Sequence, residues 1–394
     1  MKILETYYLK LIAFTKLIYF FLFEMKKVKK AEVIFFFPFY HTGGAEKIHL
    51  NIVKALKEAK KYVFFTQQSS SSHYKSLFDK TSDNFEIYDF LHLNYFIRNL
   101  FIKYLVKNIN NNKSVITVFG SNTDFFYQIL PKLNPVINRI DLIHAFSAPD
   151  YGIEQFSLPY ISYLNNRVVI NNKTTEDFKE LYLKNNLQNY LENIVKIENG
   201  VFIGSKAINK RPLKFTVLFV GRWSKEKRPE LFLKIAKEVL LKTNEIEFVM
   251  IGSEMEQHKN QIQEAGVTYI GEIVDTEKLN TFYENATIIL ITSYREGFPV
   301  VVMEAMAAGV VPVVTNVGGL SEHITDNLNG FLIENDEFII NNFTKQILEL
   351  ASDRTLMDLI SENTNLYALS NFNLKKFNKE YTNLLLNNNV TNNL

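Results

Sequence analysis

From Ala31 onward, short apolar runs alternate with longer segments of helical periodicity, and this alternation constrains the fold more than any other feature. A chain that alternates strands with amphipathic helices forms parallel α/β sheets, because each helix returns the chain to the edge from which the next strand starts. We predict strands at residues 31–39, 62–66, 85–91, 114–120, 139–146, 247–253 and 267–273. Helices are predicted at residues 337–350, 353–363 and 374–386.

The chain is long and nearly neutral. Its 394 residues exceed what one hydrophobic core usually organises, so two domains are expected. A net charge of +2 argues against a nucleic-acid partner. The sequence has no cysteine, which excludes disulfides, thiolate catalysis and cysteine-ligated zinc and fits a reducing compartment.

The first thirty residues differ from the rest in composition. They hold seven lysines against two glutamates, and residues 17–23 are an unbroken apolar and aromatic run. Lys10 and Lys16 interrupt the apolar span, which is shorter than the ~20 residues that a transmembrane helix needs. No small-residue cleavage site follows, so no signal peptide is predicted. An interfacial helix on an anionic leaflet is favoured; a helix packed on the first domain and a true membrane span are the alternatives.

The stretch 293–315 is predicted to form a loop, a helix and a buried strand in succession. Pro299 suits the first turn of the helix, and Gly309 can take the left-handed conformation that ends it. Glu296 lies in the loop, whereas Glu304 lies one turn inside an otherwise apolar helix. A carboxylate is costly to bury without a partner. Glu304 is therefore either a satisfied core residue or a residue that holds a ligand hydroxyl.

Two further strand ends carry residues suited to binding. Gly43 and Gly44 follow the first strand and open a helix, a geometry that lets backbone amides approach a phosphate or sugar, although such pairs are also simple turns. His144 lies near the carboxyl end of the strand at 139–146, the edge at which open α/β sheets bind ligands. An isolated histidine is more often structural than catalytic.

Arg222 and Lys227 lie in the loop after a buried strand, and Pro229 starts the next helix. Arginine supplies a planar fork of donors and lysine a point charge, so the two can converge on a polyanion. Lys225 and Arg228 are close by in sequence, so a solvated basic loop is the alternative.

Taken together, these motifs resemble the retaining glycosyltransferases of family 4. The spacing Glu-x7-Glu, followed by Ala-x-Ala-x-Gly and Pro-Val-Val, is similar to the family's donor-site motif, with two residues instead of the usual one between the glycine and the proline. Gly-Gly-Ala-Glu at 43–46, Ile-x-Asn-Gly-Val at 197–201 and Gly-Arg-x4-Lys at 221–227 resemble its other motifs. The glycine that most often follows that lysine is replaced here by Arg228.

The resemblance implies an α/β fold of GT-B architecture: two Rossmann-like domains facing each other across a cleft, with a C-terminal helix crossing back to the N-terminal domain. Residues 1–30 are expected from their composition to be a membrane-associating segment, and the resemblance makes residues 31–205 the acceptor-side domain. Residues 206–370 are expected to bind the nucleotide sugar, and residues 371–394 to form the returning helix and a frayed tail. The crossing between the domains is expected near 202–213.

The resemblance also implies roles for individual residues. The catalytic set would be His144, Arg222, Lys227 and Glu296. Glu304 would accept hydrogen bonds from ribose hydroxyls. The donor-binding set would be Gly43, Gly44, Arg222, Lys227, Gly252, Glu272, Ile273, Glu296, Gly297, Phe298 and Glu304. The sequence has no Asp-x-Asp and no histidine cluster, so no metal and no cofactor beyond the nucleotide sugar are expected.

The function that follows is a retaining, metal-independent hexosyltransferase. It would use a UDP- or GDP-sugar and a glycan or lipid-linked acceptor in cell-envelope polysaccharide or lipopolysaccharide synthesis. It would work in the cytoplasm at the inner face of the membrane, on an anionic surface and without nucleic acid. The alternatives are the same fold acting on a soluble acceptor and a catalytically silent GT-B scaffold.

Overall fold

The computed structural model describes residues 2–147, 150–202 and 214–387. The chain divides into two compact units. Unit 1 comprises Met1–Val169, Thr175–Ile197 and Phe377–Leu394, and unit 2 comprises Ile170–Thr174 and Glu198–Lys376. The predicted tail at 388–394 and nearly all of the predicted crossing at 202–213 lie outside the described residues.

Unit 1 contains a seven-stranded sheet in the order β3-β2-β1-β4-β5-β6-β7, and every pairing in it is parallel. The strands are β1 (Val33–Phe37), β2 (Lys61–Phe65), β3 (Asp83–Glu86), β4 (Thr117–Ser121), β5 (Asn138–Ile143), β6 (Asn166–Val169) and β7 (Ile194–Lys196). The helices up to β7 are α1 (Lys2–Tyr19), α2 (Met25–Val28), α3 (Gly44–Ala55), α4 (Lys75–Asp79), α5 (Tyr88–Leu91), α6 (Tyr95–Asn110), α7 (Asp124–Ile129), α8 (Ile153–Phe156) and α9 (Asn172–Lys184).

Unit 2 contains a six-stranded sheet in the order β10-β9-β8-β11-β12-β13, again parallel throughout. Its strands are β8 (Phe215–Val220), β9 (Ile246–Ile251), β10 (Val267–Gly271), β11 (Ile288–Ile291), β12 (Val311–Thr315) and β13 (Phe331–Ile333). The remaining helices are α10 (Pro229–Leu240), α11 (Lys259–Glu264), α12 (Thr276–Asn285), α13 (Val300–Ala307), α14 (Ile339–Ser352), α15 (Arg354–Asn371) and α16 (Leu374–Leu386).

The central strands are buried on both faces, as the apolar runs predict. All five residues of β1 are buried, and so are all five of β12. A strand covered on both faces needs apolar side chains in both alternating directions, so its sequence is a continuous run instead of an alternating one. The predicted parallel α/β architecture is thereby confirmed.

α16 returns the chain to unit 1. Phe377, Tyr381 and Leu385 are buried at helical spacing. The Thr117 hydroxyl on β4 donates to the Leu385 carbonyl at 2.7 Å. The sheet of unit 1 therefore needs the last described helix to cover part of its apolar face.

The N-terminal segment is partly built into unit 1. Leu17, Phe20, Met25 and Val28 are buried in its core, and Phe20 begins a π-helical turn that runs to Glu24. In the described part of the chain, no helix is long and apolar enough to cross a membrane. Residues 17–28 thus pack as the helix-on-domain alternative predicted, whereas Leu11, Phe14 and Ile18 of α1 are exposed.

Four predicted elements were wrong in extent by three residues or more. The strand predicted at 114–120 begins at Thr117, and the strand predicted at 139–146 ends at Ile143. The strand predicted at 85–91 ends at Glu86, and α5 follows, because Ile87 and Phe90 are both buried at helical spacing. The helix predicted at 353–363 continues to Asn371. The polar run that suggests its end is held by tertiary contacts, since Asn365 Nδ2 donates to the Ala307 carbonyl at 2.6 Å.

Candidate functional site

The sheet of unit 2 reverses its direction of growth between β8 and β11. From β8 the chain continues to β9 on one side, and from β11 it continues to β12 on the other. In open α/β sheets, the carboxyl ends of the two strands at such a switch point form the usual ligand crevice. The loops that follow are residues 221–228 (the β8 loop) and residues 292–299 (the β11 loop), which carry the central predicted residues.

Lys227 and Glu296 meet at this edge. Lys227 Nζ lies 2.6 Å from Glu296 Oε1, and the Ser293 hydroxyl donates to the same oxygen at 2.6 Å. The Glu296 side chain is only 8% exposed. Both donors bind Oε1 and neither binds Oε2. A charge-assisted bond of this length fixes the carboxylate, so Oε2 has a defined direction.

Arg228 joins the two loops. Its backbone φ is +48°, the left-handed region, and its guanidinium donates to the carbonyls of Thr292 and Ser293 and to Asn335 Oδ1. This is the position at which the resembled family most often has glycine. A non-glycine residue in this region is strained, and here three hydrogen bonds offset the strain. The sequence departure therefore leaves the loop in a glycine-like conformation.

Arg222 is more exposed and weakly paired. Its Nη2 lies 3.6 Å from Glu226 Oε1, and Glu226 also contacts Arg295 at 3.1 Å. Solvent-exposed ion pairs contribute little to stability. Arg222 can therefore exchange its contact with Glu226 for a contact with an anion at small cost.

The Glu304 carboxylate has a hydrogen-bond partner within the protein and is also partly accessible to a ligand. It is partly exposed on α13, between buried Met303 and Ala305. Its Oε2 accepts a hydrogen bond from the Tyr283 hydroxyl on α12 at 3.2 Å. The residue is thus held by a buried tyrosine and still reaches the surface.

Glycines shape the β11 loop and the sheet edge. Gly318 has a φ of +59°, and a Cβ there would lie 1.7 Å from the Glu296 carbonyl oxygen. Gly319 N donates to the Gly297 carbonyl at 2.8 Å. A Cβ on Gly252 would lie 1.6 Å from the Gly221 carbonyl oxygen. The backbones that flank Glu296 and β8 can approach so closely only because these positions lack side chains.

The other predicted residues of unit 2 lie around this edge. Phe298 is buried, and its ring lies 4.3 Å from that of His323. Glu272 is exposed and Ile273 partly exposed, directly after β10. The Gly252 amide donates to the Gly271 carbonyl at 3.0 Å, which brings the ends of β9 and β10 together.

In unit 1, Gly43 caps α3 and Gly44 is its first residue. A Cβ on Gly43 would lie 2.1 Å from Glu46 Oε2, and the Glu46 side chain is buried in the first turn. A carboxylate at this end of a helix interacts favourably with the backbone dipole. Any anion that binds at α3 must share the helix N-terminus with Glu46.

His144 follows β5 and contacts α3. Its Nε2 lies 3.1 Å from His49 Nε2, and the His49 ring stacks on Phe37 with centroids 4.1 Å apart. Burial lowers the pKa of His144 to about 4. Burial, and secondarily the charge of His144, lowers the pKa of His49 well below its ordinary value. Both rings are therefore neutral at pH 7, and one must donate while the other accepts.

The environment of His49 indicates which ring donates. Its Nδ1 is buried without a hydrogen-bond partner in the described part of the chain. Orphaned buried N–H groups are rarer than under-satisfied acceptors, so the proton belongs on His49 Nε2. His144 then accepts on Nε2 and carries its own proton on Nδ1.

Several neighbours of the site were missed by sequence reasoning. They are His49, Trp223, Tyr283 and Ser293, and Arg228 was read only as a neighbouring basic residue. Trp223 stacks on His258 with centroids 3.9 Å apart. Ser293 had a local signal, three residues before Glu296, but Tyr283 and His49 gave none, because their partners are distant in sequence. Within the described residues, no group of three or more histidines or carboxylates is placed to hold a metal ion.

Comparison with known proteins gives a consistent result. Residues 204–366 match the family described as glycosyl transferases group 1. A D-inositol 3-phosphate glycosyltransferase of Paenarthrobacter aurescens is 33% identical over 134 residues, which cover 32% of this chain and only 33% of that relative. An uncharacterised glycosyltransferase of Methanocaldococcus jannaschii is 25% identical over 356 residues, 82% of this chain and 90% of the relative. The capsular polysaccharide biosynthesis glycosyltransferase CapM of Staphylococcus aureus is 26% identical over 155 residues, 38% of this chain and 40% of the relative.

The fold is shared over nearly the whole chain with a solved structure. Anabaena HepE in complex with UDP superposes with a TM-score of 0.70 at 16% identity, covering 90% of this chain and 99% of HepE. Together with the two parallel sheets, this establishes the predicted GT-B fold of two Rossmann-like units.

Proposed function

We propose that this chain, whose residues 204–366 match the group 1 glycosyl transferases, is a retaining glycosyltransferase of the family 4 type. It transfers a hexose from a nucleoside-diphosphate donor to a glycan or lipid-linked acceptor. The observation that carries the proposal is the Lys227–Glu296 pair at the switch point of unit 2. A fixed carboxylate beside a cation at this edge suits a ligand that combines hydroxyls with a diphosphate.

Arg222 and Lys227 would bind the diphosphate and neutralise the charge that grows on it as the glycosidic bond breaks. Lys227 would then share its contacts between Glu296 and the diphosphate. This charge stabilisation comes from the side chains themselves, so the proposed reaction is metal-independent. No other cofactor is proposed.

The two glutamates would bind the donor. Glu296 Oε2 would accept a hydrogen bond from a hydroxyl of the sugar, with the amides of Gly297 and Phe298 beside it. Glu304 would accept hydrogen bonds from the ribose, next to its existing bond with Tyr283. Gly252, Glu272 and Ile273 would line the nucleotide side of the site. In unit 1, the proposed contacts with the donor are Gly43, Gly44 and His144.

Retention follows from attack on the face that the diphosphate leaves. The bond between the anomeric carbon and the phosphate oxygen breaks, and its electron pair goes to the diphosphate. The acceptor oxygen then bonds the same carbon on the same face, and its proton passes to the departing phosphate oxygen. Neither glutamate acts as a covalent nucleophile, in contrast with retaining hydrolases.

The finer assignments have separate supports. The UDP complex of HepE favours a uridine donor over a guanosine donor. The likeness to CapM favours an acceptor in envelope polysaccharide synthesis. We place the reaction in the cytoplasm at the inner face of the membrane, where a lipid-linked acceptor would be found.

The proposal is tested by thermal shift with UDP, GDP, ADP and their sugars. A ligand at about a hundred times its Kd should stabilise the folded protein by ~2.7 kcal/mol. We expect a shift with one base only, and its loss in Arg222→Ala. The matched control is Lys225→Ala in the same loop, because Lys225 is exposed. A chain that shifts with no nucleotide would instead be the silent scaffold, and turnover on a water-soluble sugar acceptor would favour the soluble-acceptor alternative.

A further inference from the structure

We infer that unit 1 docks on an anionic membrane through one surface built from exposed side chains of residues 11–22 and of α6. We call it the two-helix surface. It consists of Leu11, Phe14, Ile18 and Leu22 on the N-terminal segment and Phe96, Leu100 and Tyr104 on α6. The inference rests on the proposed function, because a lipid-linked acceptor requires a membrane-facing surface. It adds α6, to which the sequence assigned no such role.

The N-terminal part of this surface is an apolar stripe on the solvent-exposed side of a helix. Its four residues recur at three- and four-residue spacing, and all four are exposed. The opposite side of the same helix carries Ala13 and Leu17, which are buried. A surface helix normally presents polar residues to water opposite its buried face. An apolar outer face of this length therefore indicates a non-aqueous partner.

α6 repeats the arrangement. Phe96 is 76% exposed and Leu100 57% exposed, and Tyr104 continues the stripe one turn further on. The inner side of α6, with Phe101 and Leu105, is buried in the core of unit 1. Two separate helices thus expose aromatic and aliphatic side chains while their inner faces are already satisfied.

The two stripes belong to one surface because Phe21 joins them. Its ring lies 4.8 Å from the ring of Tyr104 and 6.4 Å from that of Phe101. Phe21 is the residue before Leu22, so the end of the N-terminal stripe lies against the middle of α6. The combined surface is larger than either helix face alone.

Charge favours an anionic partner. Lys16 and Lys27 are paired with Asp89 and Asp83, at 2.6 and 3.3 Å, so the other basic residues of this surface carry the argument. Residues 11–30 and 95–110 hold eight lysines and arginines against one acid, Glu24, whereas the whole chain holds 44 against 42. Glu24 is buried and accepts hydrogen bonds from Lys27 and Tyr62, so it does not face outward. Lys103 and Lys107 lie three residues after Leu100 and Tyr104 and are exposed. Such lysines can extend past an apolar face to reach lipid headgroups.

A lipid leaflet fits these observations better than a second copy of the chain. A symmetric contact through this surface would place two basic rims against each other, which is unfavourable. In an anionic leaflet, the same rims face phosphates while the stripes enter the headgroup boundary. Because no described helix is long and apolar enough to span a membrane, the helices would lie on the membrane instead of crossing it.

The test is co-sedimentation of the full chain with vesicles of phosphatidylcholine, with and without phosphatidylglycerol. We expect binding only to the anionic vesicles and weaker binding at high salt. Two double variants probe the two stripes separately: Phe14→Ser with Ile18→Ser, and Phe96→Ser with Leu100→Ser. Each should weaken binding by about tenfold or more, because two apolar side chains no longer enter the leaflet. The control is Leu241→Ser, an exposed apolar residue in unit 2.

The α6 variant decides the inference, since it leaves the N-terminal segment intact. Wild-type binding by a variant with an unchanged melting temperature would overturn the docking surface. A concentration-dependent dimer in light scattering that the α6 variant abolishes would overturn it in favour of a second copy. The UDP thermal shift separates this inference from the proposed function: UDP binding without vesicle binding overturns only the docking surface. Vesicle binding without any nucleotide shift overturns only the proposed function.

Discussion

At the scale of single residues, the buried charge of Glu296 must be compensated by its neighbours. One of its oxygens is held by Lys227 and Ser293 at 2.6 Å each, while the carboxylate is almost fully buried. Burying a charge is costly unless it is paired and hydrogen-bonded, and this arrangement meets both conditions. Neither of these two donors binds the second oxygen, which suits the proposed contact with a hydroxyl of the donor sugar.

We expect Glu296→Gln to lower kcat of the proposed transfer by about tenfold to a hundredfold, because an amide accepts a weaker hydrogen bond than a carboxylate does. Steady-state kinetics with UDP-sugar would separate the effect on kcat from that on KM. The control is Glu230→Gln, an exposed glutamate on α10. If Glu296→Gln changes neither constant while the control behaves as wild type, Glu296 has no role in transfer.

The histidine pair predicts a pH dependence of stability. The folded pKa of His144 is about 4, below the unfolded value of about 6.5. Below pH 6.5 the unfolded chain therefore binds a proton that the folded chain does not. The free energy of unfolding consequently decreases as the pH is lowered. The loss should develop between about pH 6.5 and 4. The lowered pKa of His49 acts in the same direction.

This dependence is checked by melting temperatures from pH 7 to pH 4.5 for wild type and for His49→Phe combined with His144→Asn. We expect a smaller drop in the variant. His92→Asn is the control, because His92 is exposed. An equal drop in wild type and in the double variant would contradict the buried, neutral pair.

At the scale of elements, the loops at the switch point are held by backbone contacts that allow no side chain. Gly318 shows this directly, since its missing Cβ would overlap the Glu296 carbonyl. The sequence did not predict the contact of Gly318 with Glu296, because that contact depends on the pairing of β11 with β12.

We expect Gly318→Ala to abolish most activity, because the β11 loop must move away and carry Glu296 with it. The matched control is Gly266→Ala, which has a similar φ of +75° but meets only the end of the Leu240 side chain. Both variants should lose stability through the positive φ, by roughly 1 kcal/mol or more. Only Gly318→Ala should lose activity and UDP binding. Equal activity in both variants would contradict the prediction that the position of the β11 loop determines activity.

Local sequence patterns predict some boundaries of helices and strands but not others. α13 begins at Val300 directly after Pro299, and Gly309 takes a φ of +75°, as the proline and glycine predicted. These are local effects of ring and Cβ geometry. The ends of β3 and α15 were missed because burial and tertiary hydrogen bonds, not local preference, decide them.

At the scale of the whole molecule, unit 1 is assembled from both ends of the chain. The N-terminal segment supplies Leu17 and Phe20 to its core, and α16 supplies Phe377, Tyr381 and Leu385. Unit 1 is therefore complete only when the last described helix has been added.

We expect Phe377→Ala to destabilise unit 1 by about 3–5 kcal/mol, because it leaves a cavity at a fully buried site. Amide hydrogen exchange would report faster exchange in β4 and β5, while the sheet of unit 2 keeps its protection. The control is Leu369→Ala on α15, an exposed leucine. Unchanged protection of β4 and β5 would contradict the structural role of α16.

The sequence by itself determined the class of fold, the course of most strands and helices, and the loops that carry the predicted site. Those features follow from periodicity, apolar runs and special backbone residues, which act over a few neighbouring positions. The tertiary structure decided which loops meet. Lys227 and Glu296 are 69 positions apart and come within 2.6 Å only because β8 and β11 are neighbours in the sheet. It likewise decided that residues 11–22 have one buried and one exposed apolar face, since helical spacing alone does not say which face another element will cover.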